Sequence, residues 1–192
     1  MSNLYFSGKY KDQIIKLLIN NEMIIKLINP TINPDLDMID VLMGGEFIGD
    51  DGEKIKEQGH IFDYNFVDET VVQTKTFIFV ETDIDTVSRN IFTEFNLYIY
   101  IFSHKDLIRL SSTSTPTKNQ VKKAGYYGNR IDTLCDAVDR MLNGNSNFGI
   151  GDVEPAPRYH MTIYTPSPNY YGKCLKYKVK NYNDGGDSCD FN

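Results

Sequence analysis

The chain has no tryptophan and only three cysteines, Cys135, Cys174 and Cys189, among 192 residues. Cysteines this few and this scattered exclude a disulfide framework and a C-x-x-C zinc ribbon, and the expectation is reduced thiols. Long apolar runs are missing as well. No stretch approaches the roughly 18 residues that cross a bilayer, and the opening MSNLYFSGKYKD has neither the apolar core nor the cleavage site of a secretory signal. A protein assembled in a cytoplasm, without membrane contact, is the resulting expectation. Positive charge is also scarce: 20 Lys and Arg stand against 26 Asp and Glu, a net charge of −6. That balance argues against a broad basic face for duplex nucleic acid, with Lys173, Lys176, Lys178 and Lys180 as the one local exception. G-x-x-x-x-G-K-[ST], G-x-G-x-x-G and G-x-S-x-G are all absent, which removes the common phosphate cradles and the nucleophile elbow.

What is there suffices for a core. The hydrophobic fraction is 41%, the aromatic fraction 12% and the charged fraction 24%, so global disorder is excluded. At roughly 150 residues per domain the length predicts about 1.3 domains, hence one domain with a substantial insertion. The charge locates it. Residues 35–69 carry 11 acids against Lys54 and Lys56, a local charge of −9 that leaves +3 for the rest.

Along residues 10–28 the apolar side chains Ile14, Leu17, Leu18, Ile24, Ile25 and Ile28 recur at helical spacing, with a break expected at Asn20-Asn21 and a stop at Asn29-Pro30. The acidic, glycine-punctuated stretch 29–74 reads as an insertion or arm, with a short helix at 37–43 and a hairpin around 45–55. Strands are predicted over 75–82 and 91–102. In the second, Phe95, Leu97, Ile99 and Ile101 form a core face, while Glu94, Asn96, Tyr98, Tyr100 and Phe102 form an amphipathic one. That second face fits either an interface or an aromatic cross-strand ladder.

Residues 111–127 read as a mobile loop, whose polar run 111–118 lacks packing residues. Asn129 is placed to cap a helix over 129–143 whose core stripe includes Ile131, Leu134, Cys135, Val138 and Leu142, with Gly144 as its stop and Arg130, Asp132, Asp136, Asp139 and Arg140 on its wet face. Further strands are expected at 148–154, 160–164 and 172–180, the last with Cys174, Lys176, Lys178 and Lys180 outward. Alternate lysines there serve either a partner or protection of an edge strand against aggregation. The tail 183–192 has turn composition and reads as flexible. The expected class is therefore α+β: a single domain, 1–192, with a mainly antiparallel sheet packed by two helices.

Chemistry leaves few traces. His60, His104 and His160 lie in separate segments with no second ligand at metal spacing; His60 with Asp63 reads as a turn or surface pair, and His104 as a strand-end residue. Asp83, Asp85 and Glu94 could hold Mg²⁺ for a nuclease, although no Glu-x-Lys follows. Asp50 and Asp51 before Gly52 lack the remaining acids of a calcium loop. No catalytic residue, cofactor or metal is assigned.

The order of these elements, with NLYIYIFSHKDLI, the helix GNRIDTLCDAVDRMLNG, the strand FGIGDVE and the closing GKCLKYKVKNYN, resembles the small neck proteins of tailed bacteriophages, most of all the tail terminator group. The resemblance spans about 9–28 and 75–182. It implies a non-enzymatic virion protein at the head–tail junction: a homo-hexameric ring that caps the tail tube, ends its polymerisation and offers its other face to head-completion proteins. DNA would pass through the lumen without sequence-specific binding. A stopper protein of the same neck is the first alternative, the metal-dependent nuclease the second. Heterologous ring contacts need two different complementary surfaces. Glu46, Asp50, Asp51 and Glu53 in the acidic arm, Tyr98 and Tyr100, and Lys176, Lys178 and Lys180 are the interface candidates.

Overall fold

The helix that the spacing predicts over 10–28 is divided at the expected break, and its first part begins earlier, at Asn3. Asn21 divides α1 (Asn3–Ile19) from α2 (Glu22–Ile28) by accepting hydrogen bonds from the N–H groups of Met23 and Ile24 at 3.1 and 3.2 Å. Asn29 then closes α2 in the left-handed conformation, φ 53°, before Pro30. The computed structural model describes residues 3–31, 33, 35–49, 52–65, 73–88, 92–146 and 151–182. Asp50, Asp51 and the tail 183–192 lie outside them.

The predicted short helix and hairpin follow as α3 (Met38–Met43) and the antiparallel pair β1 (Gly45–Ile48) and β2 (Lys54–Glu57). Next come β3 (Ile61–Phe62), β4 (Thr76–Ser88), β5 (Phe92–His104), α4 (Lys105–Ile108), α5 (Lys118–Lys123) and α6 (Arg130–Leu142). The chain closes with β6 (Asp152–Pro155), β7 (Met161–Tyr164) and β8 (Tyr170–Tyr182). A six-stranded sheet runs in the order β3-β4-β5-β8-β6, with β7 also on β8; every pairing is antiparallel except β3 with β4. The class is α+β, as the sequence predicts.

Alternation along the strands decides what lies between sheet and helices. Ile78, Val80, Phe95, Leu97, Ile99, Ile101, Leu175, Tyr177 and Val179 meet Ile14 and Leu18 of α1, Ile24 and Leu27 of α2, and Ile131, Leu134, Val138 and Leu142 of α6 in one cluster. Each such side chain contributes roughly 1.5–3 kcal/mol on leaving water. Cys135 joins this stripe as expected, and burial pushes its thiol up to about 12. α6 starts in a capping box: Asn129 Oδ1 accepts from the Asp132 N–H at 3.0 Å and Asp132 Oδ2 from the Asn129 N–H at 3.1 Å.

Several expectations change. Arg130, read as wet, is 2% exposed: its guanidinium donates to the carbonyls of Leu107 (2.8 Å), Leu27 and Thr115 (3.2 Å). Its position at the first turn, directed back toward carbonyls of α4, of the end of α2 and of the segment before α5, explains why a helical wheel puts it on the wrong side. Asp132 and Asp139 are also engaged, with Lys173 and with His160, respectively. The stretch 111–127 contains α5, whose start is a capping box between Thr117 and Gln120, and it buries Pro116 and Val121. His60, read as a turn or surface residue, is 2% exposed beneath α3, its Nδ1 2.8 Å from the Thr76 carbonyl. Burial holds its imidazole below the ordinary histidine range.

Candidate functional site

The face of the sheet turned away from the helices holds most of the sequence-predicted interface residues. Tyr98 pairs with Lys176 across β5 and β8, Tyr100 with Cys174, Asn96 with Lys178 and Glu94 with Lys180, so these side chains share one face. Tyr98 and Tyr100 stack with centroids 6.3 Å apart, and the Lys176 ammonium lies 5.2 Å from the centre of the Tyr98 ring. Burial among Cys174, Tyr164 and Tyr98 pushes the Tyr100 hydroxyl up to about 12. Beyond Tyr100 the face turns aromatic: Phe77, Phe79, Phe102 and Tyr170 are buried against one another, with Phe62 and Tyr164 alongside. Gly172 permits this, because a Cβ there would lie 2.1 Å from the Ile101 carbonyl oxygen and 2.4 Å from Phe102 Cβ.

The lysine strip proves different from its sequence reading. β8 is an interior strand, flanked by β5 and by β6 and β7, so edge protection is not its task. Lys173 points to the helix side and pairs with Asp132 at 2.7 Å. Burial alone would raise the Asp132 carboxyl, but Lys173 and the Asn129 N–H outweigh it and hold it below the usual carboxylate range. Lys178 reaches Glu94 at 3.4 Å and Lys180 reaches Glu154 at 2.8 Å, so two of the three outward lysines are neutralised within the chain. Cys174 lies on this outward face as expected but is buried there, and its thiol is raised to about 11 by that burial.

Glu46 and Glu53 stand elsewhere, on the β1–β2 hairpin, which has no extensive packing against any other described element. The hairpin is rooted where its two ends cross: a Cβ on Gly44 would meet the Gly59 nitrogen at 2.6 Å, and one on Gly59 the Met43 oxygen at 2.5 Å, both residues having positive φ. Glu57 adds an ion pair to Lys75 at 3.2 Å. Toward the tip Ile48 is 77% exposed.

A third surface was not legible in the sequence. β7 pairs with β8 alone, and Met161 and Ile163 turn toward the helix side of the sheet, where no helix packs extensively on β7 among the described residues; they are 49% and 71% exposed. Alternation in a four-residue strand is too short to announce this. Also hidden by separation along the chain is a polar cluster in which Asp139 Oδ1 accepts from the Tyr177 hydroxyl at 2.9 Å and lies 3.0 Å from His160 Nε2. His160 Nδ1 faces the Lys176 carbonyl at 2.8 Å, so both ring nitrogens are engaged and neither is open to a substrate. The cluster fastens the segment before β7 to α6.

Asp83 is exposed on β4 and Glu94 is held by Lys178; the side chain of Asp85 lies outside the described residues. Among the described residues no three His, Cys, Asp or Glu side chains gather to hold a metal ion. No helix of the described residues is long and apolar enough to cross a membrane.

A single sheet with helices on one face, an open second face and two dissimilar edges defines an α+β domain whose distinctive features are surfaces. The chain belongs to the YomW family, whose sequence model matches residues 13–179. The family name is phage-derived, from a gene of SPBeta-like Bacillus phages, and points to a phage protein. No curated protein and no solved structure matches the chain.

Proposed function

We propose that this phage protein is a virion structural protein that assembles as a ring at the head–tail junction, caps the tail tube, ends its polymerisation and docks head-completion proteins. It carries out no covalent chemistry in this reading. The observation that carries it is the placement of two dissimilar surfaces, a charged hairpin bearing exposed Ile48 and an apolar strand, beside opposite edges of the six-stranded sheet. The β1–β2 hairpin with exposed Ile48 is rooted beside β3, at one end of the strand order, and β7 with exposed Met161 and Ile163 lies at the other. Head-to-tail contacts between different surfaces form a ring when the rotation between subunits closes, and an exposed apolar edge strand is a surface that a partner can cover.

Charge follows the same division. Residues 155–180 contain five bases and no acid, but Lys173, Lys178 and Lys180 are paired with Asp132, Glu94 and Glu154, which leaves Arg158 and Lys176 to face the acidic stretch around the hairpin. The remaining surface, the outer face with Tyr98, Tyr100 and Lys176, is then available to the tube or to head-completion proteins.

Electron microscopy of tail tubes polymerised with and without the protein tests the reading. Shortened tubes with an extra ring at one end are expected. Tubes of unchanged length with bare ends would overturn it, and cross-linking to portal-side proteins instead of tube protein would assign the stopper role.

A further inference from the structure

Residues 107–131 contain Arg109, Lys118, Lys122, Lys123 and Arg130 and no Asp or Glu, in a chain whose acids outnumber its bases. Folding takes Arg130 into the interior and gathers three of the others. Arg109, just beyond α4, and Lys118 and Lys122, one turn apart on α5, line a single open cleft of about 470 Å³. Ile108 and Leu110 form its apolar wall, and Gly128 and Asn129 its rim at the start of α6.

The cleft is held firmly. Ser111 O accepts from the Lys118 N–H at 2.9 Å, Val121 anchors α5 in the core, and Arg130 ties Leu107 and Thr115 to α6. Asp132, whose carboxylate stands beside Gly128 at the rim, is occupied by Lys173 and the Asn129 N–H. Among the described residues no carboxylate pairs with Arg109, Lys118 or Lys122, although ion pairs neutralise lysines elsewhere on the sheet. Three like charges around one cleft repel one another unless an anion enters.

We propose that this cleft binds backbone phosphates of duplex nucleic acid, without sequence preference. Three exposed cations around an open groove suit a phosphate chain passing over the surface, and phosphate contacts carry no base information. This goes beyond the structural role proposed above and does not require it.

The test is fluorescence anisotropy of a labelled random-sequence duplex titrated with the protein at several salt concentrations. Three phosphate contacts predict a slope of log K against log salt of about −2.7 per protomer. The double variant Lys118→Gln/Lys122→Gln is expected to bind at least about tenfold more weakly, with the slope reduced by about 2. Lys118→Arg/Lys122→Arg should retain binding, and Lys178→Gln, on the outer sheet face, should leave it unchanged. A thermal melt of each variant separates loss of folding from loss of binding.

Absence of duplex binding by the natural protein at low salt would overturn the proposal, as would unchanged binding by the Gln double variant. Displacement of the duplex by free nucleotide or inorganic phosphate at equal phosphate concentration would assign the cleft to a small phosphate ligand instead. Loss of self-association in the Gln variant with duplex binding intact would assign it to a neighbouring subunit. A monomer that binds duplex through these residues leaves the inference standing while the ring fails.

Discussion

On its helix-covered face the sheet presents mainly aliphatic side chains, Ile78, Val80, Leu97, Ile99, Leu175 and Val179, whereas on the other it presents Phe77, Phe79, Phe102 and Tyr170, all equally withdrawn from water. The two faces reach burial by different routes. Aliphatic side chains pack under the ridges of α1, α2 and α6, a layer supplied by other parts of the chain. The aromatic rings of the outer face close over one another edge to face, Phe79 and Phe102 at 4.9 Å and 84°, Phe62 and Phe79 at 5.3 Å and 85°. Tyr170 and Tyr164 complete the cover by donating to the Gln73 carbonyl and to Asn65 Oδ1. A sheet face without a helix layer can thus be dry at one end and charged at the other, where Lys178 and Lys180 meet Glu94 and Glu154.

If both faces are true core, truncation should be costly on either. Phe102→Ala is expected to lower unfolding free energy by about 3–5 kcal/mol and Ile99→Ala by about 2–5 kcal/mol, measured by denaturant titration. A cost below about 1 kcal/mol for Phe102 alone would break the equivalence. Arg130→Met should remove at least about 2 kcal/mol, because three carbonyls lose a charged donor inside the helix layer.

The next effect depends on pH. His60 is buried beside the aromatic end with its pKa lowered by that burial, so the unfolded chain binds its proton more readily than the folded one. Stability should therefore fall as pH drops through the ordinary histidine value of 6.5 and continue to fall toward the lowered folded value. Melts of the natural protein and of His60→Gln across that range should show the slope only in the former. The smallest effects belong to the charged end: Lys178→Gln and Lys180→Gln are each expected to cost less than about 1 kcal/mol, diminishing with added salt.

Periodicity made the centre of this fold legible. The strand of Phe95, Leu97, Ile99 and Ile101, the helix of Ile131, Leu134 and Val138, and the break at Asn21 each follow from spacing and capping chemistry. What escaped depends on contacts distant in sequence. Arg130 looks solvated until Leu27 and Thr115 are folded against it, and β8 looks like an edge until β6 and β7 return to its far side. The outer face was readable as amphipathic, but its lysines acquired acids from other strands. The basic cleft could have been found from the acid-free run at 107–131, which the overall charge of −6 concealed. The exposure of Met161 and Ile163 left no comparable signal, since it arises from where the helix layer stops.

The contrast between the buried centre of the sheet and its two uncovered edges is most directly tested by sedimentation equilibrium of the natural protein beside Ile48→Asp and Met161→Asp/Ile163→Asp. An assembly of about six chains is expected for the natural protein, alone or with tail-tube protein, and folded monomers that still melt cooperatively for both edge variants. A natural protein that stays monomeric in both settings, or edge variants that assemble as well as it does, would contradict this expectation.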